Sequence, residues 1–148
     1  MNVDYFMKEA IIEAEKAFNL NEVPIGGILV DNKSSEIIAR GYNTINKDNN
    51  AIKHCELKLI HETCEKLQLK YLENITLFVT LEPCTMCASA ISEVHINNIY
   101  FGAYDEKNGG IEKLRVAFQR EHIFVPNVYG GILEEECSNL LKKFFKKI

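Results

Sequence analysis

Thr80-Leu-Glu-Pro-Cys84-Thr-Met-Cys87-Ala-Ser-Ala-Ile91 decides how this chain is read, because an apolar strand there runs into a helix that opens with two cysteines. Pro83 suits the first turn of such a helix. Cys84 and Cys87, three apart, would place both sulfurs on one helical face beside unpaired backbone N–H groups. Those groups and the positive end of the helix dipole favour thiolate, the form of cysteine that binds a metal ion. Alone, Cys-x-x-Cys fits a redox pair or half of a structural metal site equally well. Upstream, Lys53-His54-Cys55-Glu56-Leu57 adds an imidazole and a carboxylate, which removes most of that ambiguity. His54, Cys84 and Cys87 make three ligands, the set with which a catalytic zinc keeps its fourth place for water. On an ideal helix, side chains two apart diverge, so Glu56 is expected beside that water and not on the metal. It would carry the water's proton.

Working outward from this stretch, helices and strands alternate without a linker, repeat or low-complexity segment. Val3, Phe6, Ala10, Ala14, Ala17 and Phe18 follow helical spacing, which predicts an amphipathic helix from residue 3 to about residue 19. Pro24–Val30 and Glu36–Tyr42 flank a polar turn and read as a β-hairpin. Residues 54–68 form a helix with Leu57, Ile60, Cys64 and Leu67 as its stripe and with His54 and Glu56 at its start. Ile75–Thr80 is the strand that delivers the cysteine helix, and Ile99–Phe101 is a further short strand. The connections are long enough for parallel crossovers. Asp105–Gly110 is a turn-rich loop, residues 111–119 are a candidate helix, and His122–Val128 are a candidate fifth strand. Leu133, Cys137, Leu140, Leu141, Phe144 and Ile148 mark the buried stripe of a final helix, which starts with three glutamates and ends among lysines.

Composition sets the frame for this reading. At 148 residues, 47% of them apolar, residues 1–148 are expected to form one domain with a substantial core. A net charge of -4 argues against a strongly basic, non-specific nucleic-acid binder, though it leaves room for a local basic patch. Five cysteines, an odd number with two in a metal-like pair, do not resemble a secreted disulfide framework. Met1-Asn-Val-Asp-Tyr5 lacks a cationic start before an apolar stretch, and no apolar run approaches membrane-spanning length. The expectation is a soluble, cytoplasmic protein.

His-x-Glu with Pro-Cys-x-x-Cys is the pattern of the zinc-dependent nucleobase deaminases. Over nearly its whole length the chain resembles the bacterial tRNA-specific adenosine deaminases. The runs that carry the resemblance are Glu22-Val-Pro-Ile-Gly26, Gly41-Tyr-Asn43, His54-x-Glu56, Val79–Ala88, Phe101-Gly-Ala-x-Asp105 and Gly131–Cys137 ahead of Phe144-Phe145. The resemblance implies a three-layer α/β/α sandwich of the cytidine deaminase type with a five-stranded mixed sheet. It also implies one zinc per subunit, a homodimer, and conversion of adenosine to inosine at the wobble position of a tRNA anticodon stem-loop. It would set Asn43 and the backbone of Val23 and Pro24 against the base, with Asp105 and Lys107 near the flanking nucleotides. Cys55 stands where the family usually has alanine, and Glu112 and Lys113 replace a usual Gly-Ser.

Two other classes of function fit parts of the same pattern. A zinc deaminase of free bases or nucleosides would share the metal core and differ in the pocket. A non-catalytic zinc module would close its site with a fourth protein ligand and would have no use for Glu56. Cys55, Cys64 and Cys137 read as small buried thiols, and His61 lies too far along its helix to share the ion. Tyr71, Tyr100 and Phe101 could stack on bases or fill the core. Asn43 could also satisfy a turn. The cationic candidates for RNA contact are Lys107, Lys113, Lys142, Lys143, Lys146 and Lys147.

Overall fold

In the computed structural model, which describes residues 1–111, 118 and 122–147, the amphipathic spacing near the amino terminus forms helix α1, Val3–Asn19. The Asn2 side chain accepts the Tyr5 N–H at 3.0 Å and caps it. The hairpin follows as β1, Gly26–Asp31, and β2, Ile37–Tyr42. Its turn is closed by the Asp31 carboxylate, which accepts from the Ser34 N–H at 2.9 Å and from the Ser34 hydroxyl at 2.8 Å. Then come α2, Cys55–Leu67; β3, Ile75–Leu81; α3, Thr85–Glu93; β4, Asn98–Ala103; β5, Asn127–Tyr129; and α4, Glu134–Lys147.

The five strands form one mixed sheet in the order β2-β1-β3-β4-β5. β1 is antiparallel to both neighbours, while β3, β4 and β5 run parallel. All strands except β1 therefore point the same way. The α2 connection is a parallel crossover that steps over β1, and α3 is the crossover from β3 to β4. Alternation along the strands sorts side chains to two faces. Ile28, Val30 and Phe78 meet Phe6, Met7 and Ala10 of α1 and Cys137 of α4. Leu29, Leu77, Val79, Ile99 and Phe101 meet Leu59 and Ile60 of α2 and Ala88 and Ile91 of α3. Each large apolar side chain sealed this way contributes about 1.5–3 kcal/mol relative to exposure, so the two cores set the layering.

One glycine fixes how closely α1 rides on the sheet. A Cβ on Gly26 would collide with the backbone of Ala10 and Ala14, so only glycine permits that approach. The Gly26 N–H also donates to the Thr80 hydroxyl at 3.1 Å, tying the start of β1 to the end of β3, the strand that leads to the cysteines.

Three elements differ from the sequence expectation. The inward face of α2 is Cys55, Glu56, Leu59, Ile60 and Thr63, while Leu57 is half-buried and Leu67 is 42% exposed. The hydrophobic stripe points about one residue away from the true face because a polar pair, Glu56 and Thr63, is turned inward. Pro83 lies before α3 and not inside its first turn, since Cys84 is the N-cap. The fifth strand is confined to residues 127–129. Pro126 has no N–H to donate to a ladder, so pairing begins just after it. The candidate helix at 111–119, Glu112, Lys113 and Ile148 lie outside the described residues, apart from Ile111 and Phe118.

Candidate active site

His54 and Cys84 stand at the N-caps of α2 and α3, with φ/ψ of -71/147 and -70/172. Neither side chain caps its own helix. The extended backbone at both positions turns the imidazole and the thiol out of their helices and towards each other. His54 Nδ1 lies 3.8 Å from Cys84 Sγ and 3.5 Å from Cys87 Sγ. All three ligand atoms fall within 4.8 Å of one another. A tetrahedral ion bound at about 2.3 Å from sulfur and about 2.0–2.1 Å from nitrogen would hold an N–S pair about 3.6 Å apart. The donor set and its spacing therefore fit a metal ion, held where two positive helix ends meet.

Cys55 is turned away from this cluster. It is fully buried, and its thiol donates to the Gly41 carbonyl at 3.3 Å. Its backbone N–H donates at 2.7 Å to the Asn43 side-chain oxygen, so Asn43 supplies the cap for α2 that His54 does not. Cys137 is buried in the core beneath α1 and α4, and Cys64 is half-buried against the other core, beneath α2 and α3. His61 is exposed on the far side of α2, 3.9 Å from Glu65. Tyr71 stacks on His95 at 4.4 Å, Tyr100 stacks on Phe78 and Tyr129, and Phe101 is core.

His54, Glu56 and Cys84 line one open cleft of about 440 Å³, a size that suits a nucleoside. Because His54 precedes the helix, the divergence expected of two helical side chains does not apply, and ligand and carboxylate face the same space. Burial pushes the Glu56 carboxyl up to about 7, and the Cys84 sulfur acts in the same direction. The two cysteine sulfurs shift each other in opposite directions. Cys84 is pulled down to about 4, first by the Cys87 thiol that donates to it, while Cys87 is pushed far up by that same partner and by burial. His54 is raised, chiefly by the Cys84 sulfur, and the Ala51 carbonyl works in the same sense. Both cysteines must be thiolates to bind a metal, so loading is coupled to proton release.

The rest of the cleft is built by loops held from behind. Asp105, Lys107 and Asn108 form one wall. Asp105 shapes that wall itself, its carboxylate accepting from the Lys107 and Asn108 N–H groups at 3.1 and 3.0 Å. Ile25 also lines the cleft, with Val23 and Pro24 just before it and outside the lining. Asn43, likewise outside the lining, is tied to Ile25, its N–H donating to the Ile25 carbonyl at 3.1 Å. The structure thus brings His54, Glu56, Cys84, Asp105 and Lys107 to one cleft, with Cys87 buried beneath it.

The MafB19-like deaminase family matches residues 1–148. A tRNA-specific adenosine deaminase of Rickettsia bellii is 41% identical over 96% of this chain and 99% of its own length. One of Bacillus subtilis is 43% identical over 98% and 89%. The chain belongs to the tRNA-specific adenosine deaminase family. A solved structure from a study of A-to-I editing by tRNA:A34 deaminases superposes on this tRNA-specific adenosine deaminase family member with a TM-score of 0.87. It is 40% identical and covers 93% of this chain and 99% of that one. The guanine deaminase of Nitrosomonas europaea superposes with a TM-score of 0.81 at 17% identity, over 95% of this chain and 83% of that one, and so shares the fold.

Sequence reasoning passed over two buried carboxylates that hold this family member's cleft loops. Glu22 accepts from the Asn46 and Lys47 N–H groups at 3.0 and 2.7 Å and fixes the segment leading to His54. Glu82 accepts from the Asp105 and Ile111 N–H groups at 3.1 and 3.2 Å. Both stand in runs that carry the resemblance, Glu22 in Glu22-Val-Pro-Ile-Gly26 and Glu82 in Val79–Ala88, and that was the available signal. Ile25 and Met86, which also line the cleft, read as ordinary apolar residues.

Proposed function

We propose that the protein is a zinc-dependent hydrolase that converts adenosine to inosine at the wobble position of tRNA. Residues 1–148 act as one catalytic domain with one zinc per subunit, in a cytoplasmic homodimer. The observation that carries the reading is the pairing of a three-ligand cluster with a proton-poised carboxylate in one cleft, in a chain 40% identical to a solved tRNA:A34 deaminase. Among the described residues no helix is long and apolar enough to cross a membrane.

His54, Cys84 and Cys87 hold the zinc. When bound, zinc supplies the Lewis acidity that makes a water nucleophilic near neutral pH. Glu56 moves the protons. As a carboxylate it accepts one from the water that attacks C6, delivers it to ring N1, and then supports protonation of the departing amine. Water and adenosine thus give inosine and ammonia. Burial, which raises the Glu56 carboxyl, favours its holding a proton between the two halves of that transfer.

The Asn43 side-chain oxygen is committed to the Cys55 N–H, so its contact with the base runs through the amide nitrogen. The Val23-Pro24 turn borders the base through Ile25, which it places in the cleft. Asp105 shapes the loop beside the flanking nucleotides, and the exposed Lys107 meets a phosphate. Lys142, Lys143 and Lys146, exposed on α4, extend the cationic surface for the anticodon stem. An acidic protein needs such a local patch to hold RNA.

The test is inosine formation and ammonia release from an anticodon stem-loop, compared with free adenosine, adenine, guanine and cytosine. The stem-loop is expected to be the preferred substrate by a wide margin. Efficient turnover of a free base with no response to the stem-loop would replace this reading with that of a free-base deaminase.

A further inference from the structure

Residues 104–111 leave β4 and return to the metal centre along a set of contacts with Glu82–Thr85. The Glu82 N–H donates to the Ala103 carbonyl at 2.8 Å, and the Gly110 N–H donates to the Pro83 carbonyl at 2.9 Å. Cys84 and Gly109 form an antiparallel bridge. The Glu82 carboxylate, 3% exposed, grips both ends of the loop, one oxygen on the Asp105 N–H and the other on the Ile111 N–H. Gly109 lies flat against that carboxylate. A Cβ there would come within 2.5 Å of the Glu82 carboxyl carbon and 2.6 Å of its oxygen.

We propose that Glu82 is a positioning residue that sets the substrate-facing loop 104–111 against the metal centre. The inference rests on the tRNA deaminase reading for its substrate, and on the geometry alone for the loop. A carboxylate can accept with both oxygens, and this site presents two backbone donors on opposite ends of one loop. An amide of the same shape offers one oxygen and one NH₂, so Glu82→Gln sets donor against donor at one end and releases it. The loop carries Asp105, Lys107 and Asn108 into the cleft, whereas the ligands and Glu56 sit on α2 and α3. Releasing it disturbs how RNA is held and leaves the proton-carrying machinery in place.

Glu82→Gln should therefore raise KM for an anticodon stem-loop about ten- to a hundredfold, with kcat at saturation within about threefold of the parent protein. Gly109→Ala pushes on the same contact from the loop side and should reproduce the pattern, which keeps the idea testable if the first variant folds poorly. Zinc content of both purified proteins should equal that of the parent. Backbone hydrogen exchange across 104–111, followed on the zinc-loaded proteins, should accelerate in both variants. An unchanged KM in both would overturn the proposal, as would zinc loss that tracks the loss of activity, because the carboxylate would then serve Cys84 and not the loop. If the parent protein ignores the stem-loop, the substrate reading fails by itself, and the exchange measurement still decides whether Glu82 holds the loop.

Discussion

Glu56 and Glu82 are 5% and 3% exposed and line the same cleft, yet they differ in where their oxygens are spent. Glu82 has a backbone N–H on each oxygen. Glu56 sits in the first turn of α2 beside the His54 and cysteine cluster, and burial pushes it up to about 7. Its lowering influences, led by its own backbone N–H, do not offset that desolvation. Burial therefore serves two ends. The Glu82 carboxylate, tied to the backbone, holds a loop in shape, whereas at Glu56 desolvation outweighs the hydrogen bonds it accepts and raises the carboxyl.

The outer bound on this comparison comes from the ligands. His54→Ala, Cys84→Ala or Cys87→Ala should abolish turnover, with metal and thermal stability lost together, because binding and folding are coupled. Zinc per chain and the melting temperature of each variant check this, and a variant that keeps a full complement of metal would remove that residue from the ligand set. Next in size, Glu56→Ala should lose more than about 100-fold in turnover while retaining zinc, in contrast to the intact kcat expected for Glu82→Gln. Near-normal turnover without Glu56 would hand the proton to another group and dissolve the distinction.

A third expectation concerns pH in chelator-stripped protein. The folded pKa of Glu56 is raised from 4.5 to about 7, so its penalty is absent below about 4.5, grows as pH rises, and is complete above about 7. Glu56→Gln should thus stabilise the metal-free protein at pH 8 by up to about 3 kcal/mol relative to its effect at pH 4. Denaturant melts at the two values decide it, and an equal effect at both would show that Glu56 is not strained by burial. The smallest effect is expected at Cys55. Cys55→Ala should cost about 1 kcal/mol through its buried volume and thiol bond, with zinc stoichiometry and activity preserved. A marked loss of bound zinc would instead place that sulfur on the metal.

Legibility in the sequence followed the range of the interactions. His54, Glu56, Cys84 and Cys87 could be read because metal chemistry restricts residue type and spacing, and β1 and β3 because runs rich in apolar and β-branched residues mark buried strands. The inward face of α2 was misjudged because Leu57 is only half-buried and Leu67 is exposed, while the site draws Glu56 inward. Glu22 and Glu82 stand in runs that carry the resemblance, but their roles were not legible because their partners are backbone N–H groups 23 to 29 residues away, which leave no mark on composition or period. Asn43 showed only that an asparagine follows a strand. Its role as the cap of a helix that starts twelve residues later depends on the fold bringing the two together.

The placement of His54 and Cys84 at two separate helix starts has a consequence for the unfolded chain. The two residues are thirty apart in sequence, and α2 and β3 lie between them. An ion that joins them acts as a staple on that segment, comparable in chain entropy to a covalent cross-link. Closing a loop of that length removes disorder worth about 3.6 kcal/mol at room temperature. The metal centre would then lend rigidity to the layer that contains it as well as reactivity to the cleft above it.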